Sequence, residues 1–460
     1  MNRMKEYQDL LQEIEGPVPA LEQTMERAQR RRTRRNRMIR PIAHIAAAFI
    51  IFVALVNFCT PVAYACSKVP ILRELAEAVT FSRSLTDAVE NEYVQPLYLV
   101  QTDGEVTASV EYLIVDQKQV NVFFRLDSDT YTNLGVYPIV LGADDNYLQS
   151  SYGLNAWDVP NGELQSITID FIDEDVPDNL KVKLNISDMS AFPDGAATEI
   201  VSESIGDAML EEIETGEPEY VAHFDFLLEF DPAFTATGKV IPINQTVVLE
   251  GQEINFTQIE VYPTHLRVNV EDSPDNTAWL KMLHFYIETD WGMKFEAVSN
   301  GITATGDEDS PMMVSFRADS AYFYDAKHLE IVITGADWLN KDMEKIYVNL
   351  ETGETDKLPE GVELHSASLK ESGYLVEFKV DYREQDCLHQ VFTSKYFDAE
   401  GTEYNINSWS STHGEANEDG EITYFVEMFP LKGYFDKEVW LCPVYSHVWR
   451  TNKPVRVLIQ

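Results

Sequence analysis

Between Arg40 and Lys68 the chain carries no formally charged side chain, and this gap separates two portions of opposite charge. From Pro41 to Val62 the residues are almost all apolar, with His44 and Asn57 placed towards the two ends. A helix of about 20 residues crosses a hydrocarbon core of roughly 30 Å, so the stretch predicts one transmembrane helix over residues 41–62. Eight arginines lie from Arg27 to Arg40, whereas residues 66–85 offer only Lys68, Arg73 and Arg83. The positive-inside bias therefore predicts a single-pass protein of the cell membrane, with the N-terminus cytoplasmic and the C-terminal region extracellular. Arg30, Arg31, Arg32, Arg34, Arg35 and Arg37 are expected to contact anionic headgroups of the inner leaflet, making the lipid bilayer the first partner. Ala63-Tyr64-Ala65 has the small-x-small form of a signal-peptidase site, and cleavage after Ala65 is the alternative. The length of the preceding tail favours a retained anchor, and Ala63-Tyr64 matches a lipobox at Cys66 poorly.

The charge is unevenly divided. Of a net −42, residues 1–40 carry +4 and the remainder carries −46. Phosphate binding needs neutralising cations, so the acidic portion argues against nucleic acid as a partner. Acidic side chains on a large body keep it soluble and non-adhesive. With 460 residues the chain exceeds what one hydrophobic core serves, and several domains are expected.

In the tail (residues 1–40), Met4, Tyr7, Leu10, Leu11 and Ile14 fall at helical spacing until Gly16-Pro17, and Pro19 can open a second helix carrying Leu21, Met25 and Ala28. Two short amphipathic helices bury little alone. Their apolar stripes lie on the inner leaflet or receive a cytoplasmic partner, with Leu10, Leu11, Leu21 and Met25 as the candidate contacts. A juxtamembrane helical segment, residues 63–95, follows, and Pro70–Val79 reads as a short helix within it.

Beyond it the period changes to two. Val106, Ala108, Val110, Tyr112 and Ile114 alternate with polar residues, and Val120, Val122, Phe124 and Leu126 repeat the pattern after a turn. The signature recurs at 180–186, 222–230, 266–270, 283–287, 329–333, 374–380, 422–428 and 455–459, punctuated by Asp103-Gly104, Asn161-Gly162, Asn300-Gly301 and Asp419-Gly420. Many short strands with frequent turns predict a mainly β fold: tandem antiparallel, immunoglobulin-like β-sandwiches outside the membrane, preceded by short cytoplasmic helices and the transmembrane helix. Joints at 231–242 and 351–361 divide these into sandwiches over 96–235, 236–350 and 351–460.

Chemistry is sparse in the sequence. There is no Gly-x-Ser-x-Gly elbow, His-Glu-x-x-His or Walker loop, and no two histidines lie within four residues. The reading is therefore of no catalytic, cofactor-binding or metal site. Asp170, Asp173, Glu174, Asp175 and Asp178 lack calcium-loop spacing and read as a solvated acidic loop. The seven tryptophans read as core or edge residues rather than as a carbohydrate platform. Cys387 and Cys442 form the disulfide candidate, with two buried thiols as the alternative.

Several stretches resemble a known family. Pro19-x-Leu21-x-x-x-Met25-x-x-Ala28 followed by basic residues, Thr60-Pro-Val-Ala-Tyr-Ala65, Val69-Pro-Ile-Leu72 and Phe81-Ser-Arg-Ser-Leu85-Thr-Asp-Ala88-Val-Glu-Asn91-x-Tyr93-Val-Gln95 resemble membrane-anchored anti-sigma-factor-like proteins of Gram-positive bacteria. Ile241-Pro-Ile-Asn-Gln-Thr246, Gly251-Gln-x-Ile254 and Val261-Tyr-Pro-Thr264 resemble a second domain of unknown function that often follows the first. The resemblance implies a sensor that responds to a cell-envelope ligand and holds a sigma factor, or another cytoplasmic protein, at the membrane. The tail departs from the zinc-binding anti-sigma pattern, having neither His nor Cys, and at about 40 residues it is short for a separate sigma-binding domain. A surface binding or structural module, anchored by the same helix and without regulatory activity, is the competing expectation.

Overall fold

A computed structural model describes residues 74–75, 78–91, 93–154, 158–172, 174–189, 220–232, 235–298, 302–307, 310–381, 390–406, 410–413 and 423–459. The basic tail and the predicted transmembrane helix lie outside them. Among the described residues no helix is long and apolar enough to cross a membrane.

Of the helix expected over 70–79, Glu74, Leu75, Ala78 and Val79 are described; the first three are helical and Val79 is in a turn. The next helix, α1 (Arg83–Glu90), lies within the helical segment expected over residues 63–95, and its own signals are present. Ser82 has extended backbone and its side chain accepts from the Leu85 amide, as an N-cap does. Leu85, Ala88 and Val89 then fall on one buried face.

Everything that follows is mainly β, built from paired sheets. The first unit contains β1 (Gln95–Asp103), β2 (Val106–Asp116), β3 (Gln119–Asp127), β4 (Asn133–Gly142), β5 (Ser150–Leu154), β6 (Asp158–Pro160), β7 (Leu164–Phe171), β8 (Asn179–Asp188) and β9 (Tyr220–Glu229). They form antiparallel sheets ordered β1-β2-β3-β7-β5 and β6-β4-β8-β9. Alternation decides which side chains go inside. On β8, Leu180, Val182, Leu184 and Ile186 enter the core, while Lys181 and Lys183 point out and pair with Asp145 at 2.7 and 3.4 Å. Residues from both sheets share that core, and each fully buried Val, Leu, Ile or Phe contributes about 1.5–3 kcal/mol.

The short β10 (Thr235–Ala236) lies parallel on the end of β2 and leads into the middle unit. Here β11 (Lys239–Leu249), β12 (Gln252–Val261), β13 (Leu266–Asp272), β14 (Ala278–Thr289), β15 (Lys294–Phe295), β16 (Ala304–Asp307), β17 (Ser310–Ala318) and β18 (Leu329–Asn340) follow in order. One sheet runs β11-β12-β13-β17-β16; the facing one begins β15-β14-β18.

A 3-10 turn at Lys341–Met343 then opens the third unit, with β19 (Ile346–Asn349), β20 (Val362–Lys370), β21 (Gly373–Asp381), β22 (Phe392–Phe397), β23 (Glu403–Asn405), β24 (Ser410–His413), β25 (Tyr424–Lys432) and β26 (Glu438–Pro443). Its sheets are β20-β21-β25-β24 and β19-β26-β22-β23. The chain passes from the middle core to the third within β18, because Trp338 belongs to one and Leu339 to the other. Residues 351–361, read from sequence as a joint, connect β19 to β20 inside the third unit.

The last strand, β27 (His447–Ile459), does not stay with residues 351–446. It pairs antiparallel with β18 from Leu329↔Ile459 to Trp338↔His447, closing the second sheet of the middle unit. Val457 and Ile459 are buried in the middle core. The third unit is thus an insertion between two neighbouring strands, stitched at its base by Ser446. The Ser446 backbone N–H and Oγ both donate to the Trp338 carbonyl, at 2.6 and 2.9 Å, and Oγ accepts from the Asn340 amide at 2.9 Å.

Candidate functional site: a buried polar joint between the first two units

β7 is buried along its whole length. Ile167, Ile169 and Phe171 face the first core, while Ser166, Thr168 and Asp170 face the other way and are covered nonetheless. What covers Asp170 comes from the middle unit. Arg267 on β13 donates from Nη2 to Asp170 Oδ1 at 2.8 Å, and Arg317 on β17 donates from Nη2 to Oδ2 at 2.6 Å. All three side chains are buried. Burial alone would raise the Asp170 pKa, but the Arg317 and Arg267 guanidinium groups outweigh it and hold the carboxyl down to about 2. Arg267 also donates to the carbonyls of Phe171 (2.7 Å) and Ile172 (3.2 Å), and Arg317 Nη1 donates to Ser315 Oγ (2.8 Å).

A second carboxylate organises turns on both sides. Asp116, at the end of β2, accepts on Oδ1 from the amides of Lys118 and Gln119, both at 2.9 Å, closing the β2–β3 hairpin. Its Oδ2 accepts from the Thr264 amide (3.1 Å) and hydroxyl (2.6 Å), in the turn between β12 and β13. Complete burial raises the pKa of Asp116, partly offset by these donors.

His265 links the two carboxylate clusters, and its protonation follows from its partners. Arg267 Nε donates to His265 Nε2 at 2.9 Å, so Nε2 carries a lone pair. The Thr264 hydroxyl spends its proton on Asp116, so at 2.8 Å from His265 Nδ1 it accepts. The imidazole is therefore neutral with its proton on Nδ1, and the chain of donors runs Arg267, His265, Thr264, Asp116. Burial, followed by the nearby Arg267 charge, drives the His265 pKa well below its ordinary value. The close approaches of His265 to Asp116 and Asp170, 3.8 and 3.7 Å, are accordingly not ion pairs. Tyr262 stacks on the imidazole at 5.3 Å and needs Gly238 beneath it, since a Cβ there would sit 2.1 Å from the ring.

Asp170 from the first unit thus meets two arginines from the middle unit, while Asp116 joins the turns on the two sides through Thr264. Such a joint adds little stability over an apolar one, but breaking it leaves a buried charge bare. What it supplies is one fixed orientation between the two units, in place of a flexible linker.

Sequence reasoning did not find this site. Asp170, expected in a solvated acidic loop, is fully buried; Asp175, four residues beyond β7, does pair at the surface, with Lys118 at 3.0 Å. The available signal was the motif Val261-Tyr-Pro-Thr264, which holds Thr264. The residues singled out from sequence, Leu10, Leu11, Leu21, Met25, Arg30, Arg31, Arg32, Arg34, Arg35, Arg37 and Cys387, lie outside the described residues. Cys442, on β26, is a half-buried free thiol whose pKa is raised by burial. Of the described tryptophans, Trp338 is fully buried, Trp279 and Trp449 pack against the same core, Trp440 packs on Tyr347, and Trp291 is half exposed. Among the described residues no group of His, Cys, Asp and Glu could hold a metal ion.

Comparison with known proteins divides the chain at this joint. Residues 33–128 match a domain of unknown function (DUF4179), and residues 238–364 match a family of unknown function (DUF5643). No curated protein matches the sequence. Among solved structures, the conserved domain protein from Bacillus anthracis is 16% identical, with 58% of this chain and 85% of that one covered and a TM-score of 0.35. The YadV chaperone is 11% identical, with 52% and 94% covered and a TM-score of 0.15. The chain therefore carries two domains of unknown function, with Asp116 inside the first match and Thr264, His265, Arg267 and Arg317 inside the second.

Proposed function

We propose that this protein is a non-enzymatic, single-pass membrane sensor or regulator resembling anti-sigma factors. In this reading the immunoglobulin-like β units stand outside the cell and meet a cell-envelope ligand. The tail binds a sigma factor or another cytoplasmic protein through Leu10, Leu11, Leu21 and Met25. The observation that carries the proposal is the uncharged stretch from Pro41 to Ser67, lying between a cationic tail and a body of net charge −46. The match to residues 33–128, which runs through that stretch into β3, is in keeping with it.

The test is made on the intact protein in its host. Protein tagged at both ends is expected in the membrane fraction after alkaline extraction. External protease should remove the C-terminal tag only, and crosslinking through the tail should recover a sigma factor. Recovery of the chain as a soluble cytosolic species would defeat the whole reading. The lack of His and Cys in residues 1–40 is in keeping with a second reading, an anchored surface module without regulatory activity. Membrane location with no cytoplasmic partner recovered under crosslinking would select it.

A further inference from the structure

Helix α1 is the first helix wholly within the described residues after the apolar stretch, and the middle unit holds its N-terminus. Asp319, just past β17, accepts on a single oxygen, Oδ1, from the Ser84 amide (3.0 Å), Ser84 Oγ (2.9 Å) and Ser82 Oγ (3.3 Å). Ser84 Oγ in turn accepts from the Ser320 amide at 2.7 Å. A carboxylate placed there also meets the positive end of the helix dipole. Arg83 enters an aromatic slot, with its guanidinium 4.9 Å from the Phe295 centroid and 5.4 Å from that of Tyr324. It donates to the Lys294 carbonyl (3.1 Å) and to Tyr324 Oη (3.2 Å), whose own proton goes to Asp87 Oδ1 at 3.0 Å.

These partners come from the middle unit, more than two hundred residues along the chain, and not from the adjacent first unit. The turn before α1 is tied differently, through Glu74 to Arg125 of β3 at 2.8 Å. The dock is also imperfect. Asp87 Oδ2 is buried without a hydrogen bond and has only the Arg83 charge, 3.9 Å away at Nε, to offset its desolvation, so holding the helix in place carries a cost.

We infer that α1 is a latch: the middle unit holds it through Asp319 and the Phe295–Tyr324 slot, and a change of state in the middle unit frees the helix without unfolding either unit. The inference rests on the proposed regulatory reading for its purpose, though not for its geometry. Local opening of one helix while the sheets stay closed is a sub-global event that amide exchange resolves.

The experiment is hydrogen–deuterium exchange on the full chain in membrane vesicles, comparing the wild type with Asp319→Ala, Asp319→Asn and Arg83→Lys. Losing the carboxylate is expected to speed exchange of amides 84–91 by on the order of tenfold or more, since each hydrogen bond to a charged group is worth about that factor. Amides of β2, β13 and β17 should keep their protection, and Asp319→Asn, which retains an acceptor oxygen, should fall between. If Asp319→Ala fails to fold, Arg83→Lys carries the test, because it keeps the charge and loses the planar stack. Unchanged exchange over 84–91, or a rise shared equally with β13 and β17, overturns the latch. A sigma-dependent transcription reporter in the host separates the two ideas. Helix release with unaltered transcription supports the latch and counts against regulation, whereas altered transcription without release overturns the latch and leaves regulation standing.

Discussion

Glu427 offers a sharp test of how the third unit is held together. Its side chain points from β25 into the core on the same face as Phe425 and Phe429 and is fully buried. The described contacts include one donor to it, the Val391 amide, which reaches both carboxylate oxygens at 3.2 and 3.0 Å. Burial pushes the carboxyl up to about 8 from an ordinary 4.5, with the Val391 amide opposing weakly. The folded-state pKa is raised, so the protonated form favours folding. Stability is fully present below pH 4.5 and is lost as the pH rises towards 8. At about 1.4 kcal/mol per pH unit, the loss over that window approaches 5 kcal/mol. Glu427→Gln keeps the shape and an acceptor for Val391 but cannot ionise. Calorimetric scans of both proteins at pH 5, 6, 7 and 8 should show the variant melting progressively higher than the wild type. A gap between the two that stays constant with pH would refute the argument, because it would mean that the carboxyl is ionised in the folded state.

Asp170→Ala leaves Arg267 and Arg317 buried without their counter-charge and is expected to cost about 3–5 kcal/mol, read as separation of the first and middle units into distinct unfolding transitions. His265 behaves in the opposite sense to Glu427. Its folded pKa is lowered, so its contribution is present above about pH 6.5 and lost as the pH falls, and its ring-proton NMR signals should show no titration as the pH passes through 6.5. Ile459→Ala opens a cavity in the middle core and should destabilise that unit by about 2–5 kcal/mol in urea titrations, leaving the transition of the first unit in place. Gly238→Ala drives a methyl group into the Tyr262 ring and should cost about 1–3 kcal/mol, a loss that Tyr262→Ala in the same chain relieves.

Much of the strand content was legible because period-two alternation directly encodes a sheet with one buried face. Leu180 to Ile186 and Ala222 to Leu228 lie in β8 and β9 with alternating burial, as their spacing predicts. The same rule misleads where both faces are covered. Ser166, Thr168 and Asp170 have the polarity of a solvent face, and only the arginines from β13 and β17 reveal that they are inside. Helix α1 is legible in Ser82, Leu85, Ala88 and Val89, an N-cap followed by one apolar face inside the helical segment expected over residues 63–95. The return of β27 to β18 could not be read, because alternation at 455–459 announces a strand without saying which edge it joins. The joint itself combines residues from 116 to 317, and spacing along the chain carries no trace of such a meeting.

The insertion of residues 341–446 between β18 and β27 has a consequence for a chain made from its N-terminal end. When β18 first emerges, one of its edges has no neighbour, and its proper partner is still to be translated behind a whole further unit. Ile331 and Ile333 then sit beside a row of bare amides and carbonyls, the template on which a nascent strand from another molecule can dock. Loop-closure entropy delays the native pairing further. A helper that shields this edge during synthesis would therefore matter more for this molecule than its final, closed sheet suggests.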